Sequence, residues 1–334
     1  MSKNGFTIRG AGVAGLCLAT ELKARDAEVT LLDPQGLPDE HGCSWWAGGM
    51  LAPDCEGETA EDCIVRAGRK AIGWWEKSTG AVHHKGTLVL ALDRDQSELR
   101  RFARRTENHR AVSGDEIDSL EPDLAGRFSG GLFFEQESHL DPRKALLHLS
   151  NRLQEQGVSI QSPSDVRESG AVIDCRGLHA RDVITDLRGV KGEMLVIRCP
   201  DIRLNRPVRL LHPRVPLYIV PREGEDGTYM LGATMIESSD RQRITARSML
   251  EMLSAAYALH PAFGEAEILE IGVDVRPAFA DNRPRVILRG QDLFINGLYR
   301  HGYLMAPVLA ELAADWLLKG HEPEDSSFFR KEKT

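Results

Sequence analysis

Apolar and polar residues alternate with two different periods in the first 33 residues. Phe6-Thr7-Ile8 is a short β-type run, and Glu28-Val-Thr-Leu-Leu-Asp33 is a second one. Between them, Leu16, Ala19 and Leu22 recur at the spacing of one helix face. The pattern therefore predicts a strand, a tight turn, a helix and a second strand, in that order.

The rest of the chain alternates between helical periods and strand-like runs, with no internal repeat and no low-complexity linker. Asp141-Pro142 is typical of a helix start, because proline is tolerated at the first helical position, and Gly157 is a typical stop. The predicted helices cover about residues 59–78, 95–108, 142–156, 246–259 and 307–318. The predicted strands cover about residues 85–92, 132–134, 171–174, 193–197, 217–220 and 229–233.

The turn near the start reads Gly10-Ala11-Gly12-Val13-Ala14-Gly15, the GxGxxG pattern. The first glycine permits the tight turn, the second lets the backbone approach a pyrophosphate, and the third lets helix and strand pack closely. The helix N-terminus favours the anionic pyrophosphate, and Asp33 would accept hydrogen bonds from a ribose hydroxyl. The motif predicts a dinucleotide cofactor but does not separate FAD from NAD.

Composition narrows the class of partner. The chain has 334 residues and a net charge of −8, so it has no basic field to attract nucleic acid or an anionic membrane. No apolar run reaches the roughly 18 residues needed to span a bilayer. The six cysteines form no CxxC pair, which removes support for a zinc or thioredoxin-like site. We therefore expect a cytoplasmic protein with reduced thiols.

Four later segments, in order along the chain, resemble one family. The loop 42–53, which contains Gly49-Met50-Leu51-Ala52-Pro53, resembles the flavin-contacting segment of the D-amino-acid oxidase superfamily, and especially that of the glycine oxidases of thiamine biosynthesis. Three other segments are similar to that family's substrate strands, its Leu-Arg-Pro segment and its closing turn: residues 218–235, 273–277 and 297–307. An ordered set of this kind is far more specific than any one motif.

The resemblance implies an α/β fold with two interleaved domains. An FAD-binding Rossmann-like domain of the glutathione-reductase type would comprise residues 1–85, 139–190 and 265–325. An α+β substrate domain that carries an antiparallel sheet would comprise residues 86–138 and 191–264, and residues 326–334 would form a tail. The family also implies a homo-oligomer, specifically a tetramer.

The resemblance also implies roles for individual residues. Arg276 would bind a substrate carboxylate, since a guanidinium binds a carboxylate bidentately with fixed geometry. Tyr218 would donate a second hydrogen bond, Arg300 would lie at the pocket edge, and Met235 would complete the substrate set. The residues implied to bind FAD are Gly10, Gly12, Val13, Ala14, Gly15, Asp33, Ser44, Ala47, Gly48, Gly49, Met50, Val166, Gly177, Arg300, His301, Gly302, Tyr303 and Leu304.

The implied reaction is the oxidation of a small amino acid, glycine first, by hydride transfer from its α-carbon to FAD. This chemistry needs an uncharged, well-positioned amine and no side-chain base. O₂ would reoxidise the flavin to give H₂O₂, and the imine would hydrolyse to glyoxylate and NH₃ or enter thiazole synthesis. The cysteines end at Cys199, so FAD is expected to be non-covalent rather than attached near the C-terminal turn.

Several alternatives remain open from the sequence. A sarcosine or D-amino-acid oxidase or dehydrogenase would share the whole resemblance, whereas a NAD-linked dehydrogenase would share only the first 33 residues. A flavin-binding protein without turnover is a third possibility. His301, Trp45 and Trp46 depart from the family pattern and bear on pocket shape.

Two further residue pairs invite a ligand interpretation. Trp74 and Trp75 are adjacent in a helix and point about 100° apart, so core packing is the favoured interpretation. His83-His84 lacks a third ligand at a useful spacing, so no metal is assigned.

Overall fold

The computed structural model describes residues 5–164, 168, 170–222, 224, 227–320 and 326–332. Within them the strands are β1 (Gly5–Arg9), β2 (Glu28–Leu32), β3 (Met50–Leu51), β4 (Thr87–Ala91), β5 (Arg110–Ser113), β6 (Gly130–Phe134), β7 (Ser138–His139), β8 (Ser159–Gln161), β9 (Ala171–Asp174), β10 (Arg188–Arg198), β11 (Val208–Leu211), β12 (Leu217–Pro221), β13 (Thr228–Gly232), β14 (Glu267–Ala278), β15 (Arg285–Arg289), β16 (Asp292–Asn296) and β17 (Phe329–Glu332). The α-helices are α1 (Val13–Lys23), α2 (Pro53–Glu56), α3 (Asp62–Thr79), α4 (Gln96–Arg105), α5 (Gly114–Leu120), α6 (Pro142–Glu155), α7 (Ala246–Leu259) and α8 (Gly302–Lys319).

A seven-stranded sheet carries the predicted strand–turn–helix–strand unit, which the structure confirms as β1, α1 and β2. The strand order is β17–β15–β16–β9–β1–β2–β8, and every neighbouring pair is parallel except β15 and β16. Helices α1, α3, α6 and α8 contribute apolar side chains to the core that covers this sheet. Arg9, a charged residue at the end of β1, pairs with Glu168 at 2.6 Å.

An eight-stranded sheet lies in the middle of the chain, in the order β14–β10–β13–β12–β11–β4–β6–β5. Its neighbouring strands are antiparallel except β11 and β4. One face is apolar and packs against α7, through residues such as Leu195, Leu231 and Met252. A mixed α/β fold with an antiparallel sheet, as the resemblance implied, is therefore confirmed.

The two sheets draw strands alternately from along the chain, but their membership differs from the predicted boundaries in two places. Residues 265–325 are predicted to belong to the cofactor domain, yet β14 pairs along its length with β10 of the eight-stranded sheet. Residues 326–334 are predicted to be a tail, yet β17 pairs with β15 and extends the seven-stranded sheet. The partner strands β10 and β15 are far away in sequence from β14 and β17. The pattern of apolar residues therefore could not show which sheet β14 and β17 join. The domain division itself stays a prediction.

Helix α8 begins five residues earlier than predicted, and Pro307 lies inside it. A proline inside a helix removes the N–H that would bond to the carbonyl four residues before, here that of Tyr303. The indole N–H of Trp75 donates to this carbonyl oxygen at 2.7 Å. The carbonyl is therefore satisfied from α3, and the helix continues through the proline.

The core interpretation of the tryptophan pair in α3 is confirmed, since Trp74 and Trp75 are both buried and their rings meet edge to face at 5.0 Å. Helix α6 also begins as predicted, with the Asp141 carboxylate accepting from the backbone N–H of Arg143 at 2.9 Å. No helix among the described residues combines the length and apolarity that crossing a membrane requires.

Candidate active site

A cavity of about 860 Å³ runs from the glycine turn after β1 to one face of the eight-stranded sheet. Its size lies within the range of roughly 300–1,000 Å³ that is usual for ligand and cofactor sites. The walls are the turn at Gly10, the loop around Gly48, the sheet face at Arg276 and the start of α8 at Gly302. Segments far apart in sequence thus meet in one site.

Two glycines of the turn, Gly10 and Gly15, have no room for a side chain. Gly10 has φ +100°, and a Cβ there would lie 2.7 Å from the Cys175 carbonyl oxygen. A Cβ on Gly15 would overlap the carbonyl oxygen of Gly10, because the helix lies directly against the turn. Gly12 caps α1 without a side-chain hydrogen bond. The backbone itself therefore forms this wall of the cavity.

Two polar side chains already face the first N–H groups of the turn. Asp33 accepts from the Ala11 N–H at 2.8 Å, and the Ser44 hydroxyl accepts from the Val13 N–H at 3.1 Å. These two N–H groups are therefore satisfied within the protein, and the positive end of the α1 dipole, whose first residues line the cavity, is suited to a pyrophosphate. The carboxylate of Asp33 lines the same cavity, at the end of β2.

The loop 42–53 is fixed by its own glycines. Gly49 has φ +76°, and a Cβ there would overlap the Leu140 carbonyl oxygen. The Leu140 N–H donates to the Gly49 carbonyl oxygen at 2.9 Å, and Met50 then pairs with His139 between β3 and β7. Five residues of this loop that were predicted to contact the cofactor line the cavity: Ser44, Ala47, Gly48, Gly49 and Met50.

Arg276 and Tyr218 lie on one face of the eight-stranded sheet. The register pairs Tyr218 with Gly232 and Gly232 with Met194, and directly opposed residues share a face. Met194 is also opposite Gly272, and Arg276 is four residues after Gly272 on β14, so Arg276 lies on the same face. Its guanidinium donates to the Thr234 carbonyl oxygen at 3.1 Å. The structure thus brings both predicted substrate residues to the cavity wall.

A buried ionic cluster around Glu56 was not predicted from the sequence. Its carboxylate lies 2.7 Å from Arg209, 3.3 Å from Arg300 and 3.3 Å from the Nδ1 atom of His301. Burial alone would raise the pKa of Glu56, but the positive charges of Arg300 and Arg209 outweigh it and hold that pKa at about 2. Burial lowers the pKa of His301 despite the neighbouring carboxylate, so the imidazole is neutral at pH 7.

One sequence signal could have pointed to this cluster. Arg209 interrupts the apolar strand β11, between Val208 and Leu210, and register places it opposite Tyr218 on the cavity face. A charged residue in such a strand usually marks the face that is not core. Glu56 has no comparable signal, because it lies in a four-residue helix directly after the loop 42–53.

The remaining predicted residues are distributed along the cavity. Met235 is 48 % exposed, and its sulfur lies 3.6 Å from Arg300. Gly177 lines the wall beside the turn, with its carbonyl oxygen accepting from the side chain of Asn296 at 2.8 Å. The closing segment from Arg300 through His301, Gly302, Tyr303 and Leu304 lines it as well. Val166 lies outside the described residues.

The Tyr303 hydroxyl joins the start of α8 to the loop 42–53. It is within hydrogen-bond distance of two carbonyl oxygens and can donate to either one: that of Ser44 at 3.0 Å and that of Pro142 at 3.2 Å. Burial raises the pKa of this phenol well above its usual value, so it stays protonated and able to donate. This hydrogen bond therefore fixes the start of α8 relative to the loop 42–53.

A glycine turn suited to a nucleotide and an arginine-bearing, mostly antiparallel sheet share one cavity, which is the arrangement of a flavoprotein oxidoreductase. The chain belongs to the FAD dependent oxidoreductase family DAO, whose sequence profile matches residues 6–316. This match extends far beyond the 33 residues that a NAD-linked dehydrogenase would share. It therefore decides between these two interpretations in favour of FAD.

Individual relatives agree with the family assignment. A Rhizobium etli protein provisionally named thiamine biosynthesis oxidoreductase ThiO is 50 % identical, over 95 % of this chain and 98 % of that protein. The glycine oxidase of Bacillus licheniformis is 24 % identical, over 92 % and 91 % of the two chains. The crystal structure of glycine oxidase from Geobacillus kaustophilus superposes with a TM-score of 0.80 at 22 % identity, covering 97 % of each chain, and shows the shared fold.

Proposed function

We propose that this chain is a glycine oxidase of thiamine biosynthesis that binds FAD non-covalently. The names of its sequence relatives support the substrate and the pathway. The observation that carries the proposal is the lack of an ion pair between Arg276 and a carboxylate among the described residues that line the cavity.

The other cavity-lining arginines each have a carboxylate partner. Arg101 pairs with Glu58, Arg176 with Asp174, Arg241 with Asp274, and Arg209 and Arg300 share Glu56. A partly buried guanidinium that forms no ion pair is suited to a ligand carboxylate, which it can bind through two parallel hydrogen bonds. The Asp274 carboxylate, which interacts electrostatically with Arg276, is already paired with Arg241. The phenol of Tyr218, on the same sheet face, would donate a further hydrogen bond.

The residues of the cavity fit FAD. Gly10, Gly12, Val13, Ala14 and Gly15 would hold the pyrophosphate, because Gly10 and Gly15 let the turn and α1 pack closely and Gly12 lets the backbone approach the phosphates. Asp33 would bind the ribose. The loop residues that would line the rest, together with Gly177, are Ser44, Ala47, Gly48, Gly49 and Met50. The segment from Arg300 to Leu304, which leads into the N-terminus of α8, would supply the positive end of a helix dipole to the bound cofactor.

Bound in this cavity, FAD would supply the two-electron oxidation of the substrate amine and the reactivity with O₂ that gives H₂O₂. Arg276 and Tyr218 would hold the carboxylate, with Met235 and Arg300 at the cavity mouth. The buried neutral His301 and the charged Glu56 would fix Arg300 there. The imine product then hydrolyses to glyoxylate and NH₃ or is consumed in thiazole formation.

The thiols near the cavity support non-covalent binding. Cys43 and Cys175 line the wall. Burial raises the pKa of Cys43 to about 12 and that of Cys175 well above its usual value. Both thiols are therefore protonated at pH 7 and poor nucleophiles, since the thiolate is the reactive form. Acid precipitation of the protein should release the flavin into the supernatant.

A peroxide assay with glycine, sarcosine and D-alanine, run on purified yellow protein, tests the function directly. We expect glycine to give the highest kcat/KM and H₂O₂ in a one-to-one ratio with glyoxylate. A preference for sarcosine or D-alanine would move the chain to another branch of the superfamily. A flavin that none of the three amines reduces would contradict the proposal.

We further propose that the enzyme works in the cytoplasm as a homo-oligomer, a tetramer by family resemblance. The net charge of −8 supports a protein that binds neither nucleic acid nor anionic membranes, because like charges repel. Light scattering coupled to gel filtration gives the mass and tests the tetramer.

A further inference from the structure

Three large side chains lie flat on the cavity face of the eight-stranded sheet, each over a glycine. A Cβ on Gly232 would lie 2.6 Å from the Tyr218 hydroxyl, and a Cβ on Gly192 would overlap the Arg276 guanidinium. The third pair is Gly272 and Trp46, where a Cβ would overlap the indole. The two residues assigned to substrate binding are thus accompanied by a third side chain seated in the same way.

The positions of these glycines follow from strand register. Gly272 and Arg276 are four residues apart on β14, and side chains at even spacing on a strand share a face. Met194 on β10 is directly opposite Gly272 and also opposite Gly232. The indole of Trp46 therefore covers the sheet between the strands that present Arg276 and Tyr218.

The indole is held in place from several sides. Its N–H donates to the Glu40 carbonyl oxygen at 2.8 Å. Its ring packs with Met194, Met230 and Tyr218 in one apolar cluster. The guanidinium of Arg143 lies 5.1 Å from the ring centroid and is itself fixed by two hydrogen bonds to Glu270, at 2.7 and 2.8 Å. Trp46 is 8 % exposed, and the part that remains accessible lines the cavity.

We propose that Trp46 is the specificity-determining residue that restricts this enzyme to amino acids with a minimal side chain. The inference rests on the proposed function, because it assumes that Arg276 binds the substrate carboxylate. A substrate bound there lies against the sheet face, and the indole fills the volume beside it that a substrate side chain needs. Glycine fits this space, and each added carbon meets the fixed ring.

The test compares kcat/KM for glycine, D-alanine and D-valine in the unmodified holoenzyme, Trp46→Ala and Trp46→Phe. We expect Trp46→Ala to raise the ratio of D-valine to glycine at least about tenfold, since the loss of one apolar wall contact is worth roughly 10–200-fold in discrimination. Trp46→Phe keeps a smaller ring and should give an intermediate ratio. Flavin absorbance confirms that each variant retains FAD.

Gly272→Ala moves the indole in the opposite direction. A methyl group under the ring pushes it into the cavity, so kcat/KM should fall for D-alanine by a larger factor than for glycine. Trp316→Ala is the matched control for the loss of an indole, because Trp316 packs on Phe329 in the other sheet, away from the cavity. Its substrate ratios should equal those of the unmodified enzyme.

The outcomes separate the two proposals. If the unmodified enzyme does not oxidise glycine, the proposed function fails before Trp46 is tested. If it oxidises glycine but Trp46→Phe, Trp46→Ala and Gly272→Ala keep its substrate ratios, the role of Trp46 is overturned. Because Trp46→Phe keeps an aromatic ring over Gly272, it decides the matter even if Trp46→Ala or Gly272→Ala does not fold.

Discussion

Glycines build both ends of the cavity, but they do so for opposite reasons. At the turn after β1, Gly10 and Gly15 bring one backbone segment against another, and the main chain itself becomes the binding surface. On the eight-stranded sheet, Gly192, Gly232 and Gly272 lie beneath large side chains, and those side chains become the surface. The first arrangement suits a cofactor whose charge is recognised by N–H groups. The second suits a substrate that is recognised by size and by one carboxylate.

The largest effect is expected at the cofactor end. Gly15→Ala places a Cβ on the Gly10 carbonyl oxygen, so the turn and α1 cannot keep their present contact. We expect a protein that loses FAD during purification, measured as the ratio of flavin to protein absorbance. Gly73→Ala is the control, because Gly73 lies on α3 and a Cβ there would meet no other atom within 4 Å. A Gly15→Ala protein that remains yellow would show that the backbone approach is not required.

The cluster of Glu56 joins the two regions, since Arg209 belongs to the sheet and Arg300 to the segment before α8. Removing one partner from a buried ionic cluster costs about 3–5 kcal/mol, because the remaining charges lose their compensation. Glu56→Gln should therefore lower the free energy of unfolding by about this amount at pH 7. Chemical denaturation of the holoenzyme measures it.

The same residue sets an acid limit to stability. The pKa of Glu56 is lowered from 4.5 to about 2 in the folded protein, so its contribution is complete above about pH 4.5 and is lost as the pH falls towards 2. The Glu56→Gln protein should lack this part of the pH profile. If the unmodified protein and Glu56→Gln lose the same free energy of unfolding between these pH values, Glu56 is not the source of the acid sensitivity.

The Arg276→Ala variant tests only the proposed substrate site on the face of the eight-stranded sheet. Arg276→Ala removes a bidentate, charge-assisted interaction, and we expect KM for glycine to rise about 100-fold while FAD stays bound. Arg276→Lys should recover part of the loss, because lysine keeps the charge but not the planar fork. Arg101→Ala is the control, since Arg101 also lines the cavity but is paired with Glu58. A wild-type KM in Arg276→Ala would break the assignment of this face to substrate.

The smallest effect is expected behind the cavity, where Trp75 donates to the Tyr303 carbonyl oxygen. Trp75→Phe leaves that buried carbonyl without a donor, which costs about 1–3 kcal/mol. In a Pro307→Ala background the alanine N–H can donate instead, so the same change should cost less. The shift in Tm of the four proteins in this cycle measures the coupling, and additive shifts would contradict it.

The local part of the fold was predictable from the sequence, because local chemistry determines it. The glycine turn, the helix after it and the start of α6 at Asp141 follow from backbone and capping requirements within a few residues. The start of α8 was predicted too late, because proline is typical of the first helical position. Only the structure shows that Trp75 donates to the Tyr303 carbonyl and so lets the helix contain Pro307. Likewise, β14 and β17 have sheet partners that no local pattern reveals.

The candidate site divides in the same way. The glycine turn and the loop after Gly42 form contiguous motifs, and the family resemblance located Arg276 and Tyr218. The cluster of Glu56 and Arg209 was missed, because it depends on a strand, a short helix and a turn that meet only in three dimensions. The roles of Gly192, Gly232 and Gly272 were missed because they require strand register, and a glycine in a strand has no pattern of its own.

The hydrogen bond between Trp75 and the carbonyl of Tyr303 also constrains the order in which this sequence can change during evolution. A lineage that replaces Pro307 first gains a backbone donor, and Trp75 can afterwards be lost at little cost. A lineage that replaces Trp75 first passes through a protein in which the buried carbonyl of Tyr303, in the cavity-lining part of α8, has no donor. Among relatives of this chain, we expect residues without an N–H or O–H donor at position 75 to occur only where position 307 is no longer proline.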